Sequence, residues 1–183
     1  MVTRNVERIR SMVLNILYYA KEREPHYETT PVLELVQEVV GVIESRAREH
    51  DIDLRHECDD GVGAFSVDPN AIRSLLINLL ENSVDACRVD KRKSDHRVEF
   101  RVKGEPGRVL FQIEDTGIGM DEETRDKAFS LFFSSKGTEG TGLGLFIANN
   151  IAQSHAGAID LQSEEDKGTL FEVSIPRNHV NQD

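Results

Sequence analysis

Apolar residues recur at Val2, Val6, Ile9, Val13, Ile16 and Ala20, in steps of four and three residues. That is the a/d seam of a helix, broadened by Met12 and Leu17. The spacing predicts one long helix over 2–20, stopped by the charged run before Pro25. Such a stripe needs cover, and pairing with a second chain is favoured over packing on the body of the domain. A second helix is predicted from Pro31 to about His50, with Thr30 as its N-cap and Pro31 at its first position. Leu33, Val36, Val40 and Ile43 give it an apolar face.

The period then shifts to two. "DIDLRHEC" and "GAFSVDP" read as strands, and Pro69 opens a third helix through "NAIRSLLINLLENSVDAC". "HRVEFRVKG" places Val98, Phe100 and Val102 on one face, and "GRVLFQIED" does the same with Val109, Phe111 and Ile113. Gly104 to Gly107 makes the turn between them. "DEETRDKAF" is a short helix, another runs from about Leu143 to His155, and "GAIDLQSEE" and "GTLFEVSIP" pair around "DKG". The fold class is α+β: a two-layer α/β sandwich with a mixed, largely antiparallel sheet, preceded by one long helix. The expected segments are the helix at 1–24, a linker at 25–30, the domain at 31–177 and a loose tail at 178–183.

Composition narrows the options. The 183 residues are 38% hydrophobic and 30% charged, with a net charge of -11. That charge disfavours nucleic acid as a partner and argues weakly against an anionic membrane surface. No apolar run approaches the ~18 residues of a membrane span. Cys58 and Cys87 form no CxxC, and the six histidines are scattered without metal-ligand spacing.

Three stretches could carry chemistry. On the third helix, Ile72, Leu75, Leu76, Leu79, Leu80 and Val84 cover one face, and Asn78, Glu81, Asn82 and Asp85 form a stripe on another. A polar stripe is ordinarily solvated surface. Two asparagines one turn apart are unusual there, because Asn is a mediocre helix former. Its neutral carbonyl suits Mg²⁺ that already carries phosphate charge. In "EDTGIGM", the alternation through Val109, Phe111 and Ile113 continues to Asp115, aiming a carboxylate at the apolar layer. Such a group is a strand-end turn residue or a buried acceptor for an amine. Gly117 and Gly119 would then let the backbone approach a flat ring. In "FSLFFSSKGTEGTGLGL", Gly140, Gly142 and Gly144 follow Lys136, and neither the P-loop nor the dinucleotide fingerprint matches. Aromatic anchors at Phe129, Phe132 and Phe133, with glycines at the other end, suggest a lid.

Taken in order, Asn78/Asn82, "DTGIGM", "FSLFFSSK" and "GTGLGL" resemble the N, first-glycine, F and second-glycine boxes of the GHKL ATPases. Within that superfamily, residues 31–176 resemble the catalytic domain of a sensor histidine kinase. The resemblance implies a Bergerat fold with ATP and Mg²⁺ as cofactors. It implies that Asp115 accepts the adenine amine, that Asn82 holds Mg²⁺ through the phosphates and that Asn78 sits beside it. Gly117, Gly119 and Phe132 would line the nucleotide, and Gly140, Thr141, Gly142, Leu143 and Gly144 would shape the lid end and face phosphate. Lys136 would be the lid cation for the γ-phosphate.

One departure is Asp85, which stands where many histidine kinases have a base. The phosphoacceptor His is also missing, since none of the six His lies in the expected context. The helix at 2–20 resembles the second helix of a dimerisation hairpin, so either the chain is cut inside that hairpin, the favoured reading, or the His belongs to a separate protein. The expected partners are a phosphoacceptor His helix, a response-regulator receiver domain and a second copy through 2–20. The expected location is cytoplasmic, within a parent that could carry a membrane anchor. Alternatives are a GHKL ATPase machine, an anti-sigma-factor-like serine kinase and a nucleotide-binding scaffold. The ATPase machines carry Glu where this chain has Asn78, which favours transfer over hydrolysis.

Overall fold

The computed structural model describes residues 25–133 and 142–178. The helix predicted over 2–20 and most of the tail lie outside the described residues. Strand β1 (Glu28–Pro31) pairs antiparallel with β3 (Ala64–Val67) in a small two-stranded sheet. The main sheet has five strands in the order β2 (Asp53–Cys58), β4 (Arg97–Gly104), β5 (Arg108–Asp115), β7 (Gly168–Pro176) and β6 (Ala158–Glu164). Only β2–β4 is parallel. That pairing requires a crossover, which β3 and helix α2 (Pro69–Val89) supply.

The alternation predicted for β4 and β5 is the one observed. Val98, Phe100, Val102, Val109, Phe111 and Ile113 point inward and are buried, as are Phe171, Val173 and Ile175 from β7. Phe100 and Phe111 stack with ring centres 6.4 Å apart, an arrangement that adds to the burial of each ring. The other face carries charge: Arg101 bridges Glu99 and Glu114, both at 2.6 Å. Helices α1 (Val32–Glu49), α2 and α4 (Gly144–Ser154) cover the apolar face, and α3 (Glu122–Lys127) is a short helix capped by Asp121. The result is the expected α+β two-layer sandwich.

The start of α1 departs from expectation. Thr30 is not its N-cap. It belongs to β1, opposite Phe65, and its Oγ1 donates to the Glu28 carbonyl at 3.2 Å. Pro31 is the N-cap residue, with extended backbone and no side-chain cap. A proline fixes φ in a range that a strand end tolerates as well as a helix start does, so the local signal had two solutions. Pairing with β3 selects the first, and the segment expected as a linker contributes a strand.

Candidate functional site

Helix α2 is the spine of the site. Pro69 stands at its first position, and the Asp68 side chain accepts from the Asn70 and Ala71 N–H groups at 3.0 and 3.1 Å, satisfying two otherwise orphaned donors. Its apolar face buries Ile72, Leu75, Leu76, Leu79, Leu80 and Val84. Asn78 and Asn82 are half-buried on another face. The Asn78 Nδ2 donates to the Ser74 carbonyl and the Asn82 Nδ2 to the Asn78 carbonyl, each at 2.8 Å. These back-bonds fix both amides against the helix. Asn78, Asn82 and Ala86 follow one another at four-residue spacing, over about 12 Å of axis.

The two glycine-rich stretches meet this spine at different levels. At one level, a Cβ on Gly144 would lie 3.1 Å from Asn78 Oδ1 and 3.4 Å from Asn82 Nδ2. Gly144 is the first residue of α4, and the buried Leu143 before it provides no side-chain cap. The opening N–H groups of α4 therefore start beside the asparagine amides. At the other level, a Cβ on Gly117 would lie 2.6 Å from the Ala86 carbonyl carbon. The Ile118 N–H donates to the Ala86 carbonyl at 3.3 Å.

Asp115 ends β5 and points inward, with 3% of its surface exposed. Its Oδ1 accepts from the Gly117 N–H at 2.9 Å. Beside it in the sheet stand Val98 on β4 and Thr169 on β7. Thr169 is also buried, and its Oγ1 meets Ser163 Oγ at 2.9 Å. The sequence reading did not single it out, because a lone Thr in an alternating strand carries no signal until the register is known. Cys87 is buried on the same end of α2, where burial and then the Asp115 carboxylate push its thiol up to about 12. Just past α2, Asp90 has a fully buried side chain. The Arg92 guanidinium bonds it at 2.9 and 3.1 Å, and these bonds hold its carboxyl down to about 2. Arg92 also reaches Asp166, whose N–H donates to the Ile118 carbonyl at 2.7 Å.

Gly119 adopts φ +64, and a Cβ there would lie 1.9 Å from the Glu164 carbonyl oxygen. The close approach that Gly117 and Gly119 permit is thus to the protein's own backbone, in α2 and the β6–β7 hairpin. Phe132 is 59% exposed and has φ +63, an uncommon conformation for a bulky residue. Its N–H donates to the Gly142 carbonyl at 3.1 Å, and Gly142 itself has φ +66 and lies against Phe132's backbone. Lys136, Gly140 and Thr141 lie outside the described residues.

Glu81 and Asp85 continue the asparagine stripe toward α1. There the Arg46 guanidinium meets both, Glu81 Oε1 at 2.7 Å and Asp85 Oδ1 at 3.0 Å. Arg88 also pairs with Asp85, at 3.4 Å. The acid that departs from the family pattern is therefore held between two arginines.

The asparagines lie on α2, Gly117 and Gly144 pack against it, and the buried Asp115 ends the strand beside it, an arrangement that can be set against known proteins. Residues 67–179 match the family described as histidine kinase-, DNA gyrase B- and HSP90-like ATPase. The chain belongs to that family. Sporulation kinase E of Bacillus subtilis (strain 168) is 27% identical over 96% of this chain and 23% of its own length. The sensor histidine kinase ZraS of Klebsiella oxytoca is 29% identical over the whole chain and 38% of its own length. The chain thus spans well under half of these relatives. The catalytic domain of histidine kinase ThkA superposes with a TM-score of 0.73 at 29% identity, covering 84% of this chain and 97% of that domain. A structure of ThkA in complex with the response regulator protein TrrA matches at a TM-score of 0.77 and 26% identity, over 96% of this chain and 49% of that one. The ATPase family and the ThkA match agree with the GHKL resemblance carried by the four boxes. No described helix is long and apolar enough to cross a membrane.

Proposed function

We propose that this chain is the ATP-binding part of a two-component sensor histidine kinase, delivering the γ-phosphoryl group of ATP to a His outside this chain. The observation that carries this reading is the convergence on α2: Gly144 packs on Asn78 and Asn82, and Gly117 packs on the next turn at Ala86. In this reading the convergence puts a phosphate end and a base end along one helix face.

In this reading the buried Asp115 carboxylate accepts the adenine amine, with Thr169 beside it and the Gly117–Gly119 backbone shaping the wall. Gly142, Leu143 and Gly144 bring the uncapped start of α4 to the phosphates, where N–H groups and the helix dipole favour anions. Phe132 forms the rim. Lys136, Gly140 and Thr141 retain the roles that the resemblance implies. The donors suit Mg²⁺: neutral side-chain carbonyls that leave the charge balance to the phosphates. Asn82 would hold the ion, with Asn78 beside it, and the ion would neutralise charge on the transferring phosphoryl group. This chain's own work is positioning and dispersing negative charge. The acceptor imidazole is itself the nucleophile, so no strong general base is needed here.

The relatives' names support a kinase over a hydrolase, and Asn78 occupies the position where the resembled ATPases place their water-activating Glu. The ThkA–TrrA complex supports a receiver domain as partner. Dimerisation through 2–20, the segment boundaries and a cytoplasmic setting remain part of the proposal.

The test is calorimetric titration with Mg·ATP. Asp115→Asn is expected to weaken binding by about 2–3 kcal/mol, close to a hundredfold, because the buried acceptor becomes a mixed donor–acceptor. Asn82→Ala should weaken Mg·ATP binding strongly and metal-free nucleotide binding little. Wild-type affinity in both variants would overturn the site assignment. Radiolabel from γ-labelled ATP that stays off a supplied phosphoacceptor helix would overturn the kinase reading while leaving the site intact.

A further inference from the structure

Glu81 and Asp85 pose an electrostatic problem. On a helix of 3.6 residues per turn both lie to the α1 side of Asn82, Asp85 about 60° and Glu81 about 100° round from it. Two carboxylates at that position would repel a nucleotide triphosphate. Asp85, about one turn before the end of α2, also adds to the negative end of the helix dipole. A helix surface chosen to receive phosphate would not ordinarily carry them.

The structure supplies a counter-charge from another element. Arg46, near the C-terminal end of α1, directs one guanidinium nitrogen to Glu81 and the other to Asp85, at 2.7 and 3.0 Å. The fork geometry lets one cation hold two acids at once, which a lysine point charge does less well. The Asp85 side chain is 19% exposed and Arg46 and Glu81 are 39% exposed. Water therefore screens the Arg46–Glu81 pair more than the Arg46–Asp85 pair. Asp85 also takes Arg88 from its own helix, and Glu81 pairs with Arg46.

We propose that Arg46 is a positioning residue for the nucleotide site: by neutralising Glu81 and Asp85, it keeps the Asn78–Asn82 face receptive to the triphosphate. The proposal rests on the ATP-site reading above. It assigns a functional role to a residue about 35 positions upstream of the asparagines, outside every recognised box. It also explains how an acid can stand where a base is expected: the positive charge comes from α1, in space and not in sequence.

The experiment measures affinity for Mg·ATP, Mg·ADP and uncharged adenosine at low and high salt, with thermal unfolding to check the fold. Arg46→Ala is expected to lower Mg·ATP affinity about tenfold at low salt and less at high salt, with a smaller loss for Mg·ADP. Adenosine affinity, read by competition, should not change. Arg46→Lys should keep most of the affinity. The deciding variant is Arg46→Ala combined with Glu81→Gln and Asp85→Asn, which removes the acids along with their counter-ion and should regain most of the Mg·ATP affinity.

Three results would each overturn the proposal: unchanged Mg·ATP affinity in Arg46→Ala, equal loss for adenosine and ATP, or no recovery in the triple variant. Equal loss would mark Arg46 as a purely structural bridge between α1 and α2. Failure of the parent protein to bind Mg·ATP at all, with Asp115→Asn behaving as the parent, would instead sink the underlying site reading.

Discussion

At the Asp115 end of α2 the glycines are filled in by backbone. At the Asn78 end the corresponding space is met by side-chain amides. A Cβ on Gly117 would strike Ala86, and one on Gly119 would strike the Glu164 carbonyl, both main-chain groups that cannot yield without moving a helix or a hairpin. A Cβ on Gly144 would press on the tips of Asn78 and Asn82, side-chain amides that could yield only by giving up their back-bonds to the helix. The first region is architecture that holds a carboxylate in place. The second is a contact between polar groups that leaves room for adjustment when an anion arrives. "DTGIGM" and "GTGLGL" look alike as strings, yet Gly144 meets side chains where Gly117, Gly119 and Gly142 meet backbone.

Adding one methyl group at each place should separate the two ends most clearly. Gly119→Ala combines an unfavourable φ with a backbone collision, so it should destabilise the domain by about 3 kcal/mol or more, lowering the thermal midpoint by roughly 10 °C. Gly144→Ala should stay within about 1 kcal/mol of the parent, because Ala favours a helix. Its Mg·ATP affinity should nevertheless fall several-fold as the amides shift. If both variants lose stability equally, the contrast between the two ends is wrong.

Cys87 reports on the rigid end from inside. Its thiol is buried and pushed up to about 12, so thiolate is scarce at neutral pH. A thiol reagent should label Cys87 only at the rate of unfolding, while the half-buried Cys58 reacts earlier. Fast labelling of Cys87 in the native protein would show that the Asp115 end opens locally.

The smallest effect concerns acid. The Arg92 bonds hold the Asp90 carboxyl at about 2, below the unfolded value of 3.8. The contribution to stability is therefore complete above the unfolded value and is lost as pH falls through about 2. Arg92→Leu removes the cause, so acid unfolding, followed by circular dichroism, should begin at a higher pH than in the parent. It should also loosen the β6–β7 turn at Asp166, the clasp on Ile118.

Much of the fold was legible because strand and helix periods are local. The alternation from Val109 to Asp115 fixed the face of every residue, including the one carboxylate among them. Strand β1 was illegible: four residues, Glu-Thr-Thr-Pro, are polar and end in proline, and only β3 gives them a partner. Gly117 and Gly119 were expected to make room for a ligand, and their contacts with Ala86 and Glu164 depend on a register that no local pattern encodes. Thr169 was invisible for the same reason.

Local pattern was enough for the described helices, the strands of the main sheet, the inward turn of Asp115 and the order of the four boxes that resemble the GHKL ATPases. These follow from side-chain periodicity and from residue types that only a few chemistries use. Tertiary structure alone decided that Gly144 meets Asn78, that Gly117 meets Ala86 and that Arg46 answers Glu81 and Asp85. Contacts of that kind join residues far apart along the chain, and they exist only once helix packing and strand register have brought those residues together.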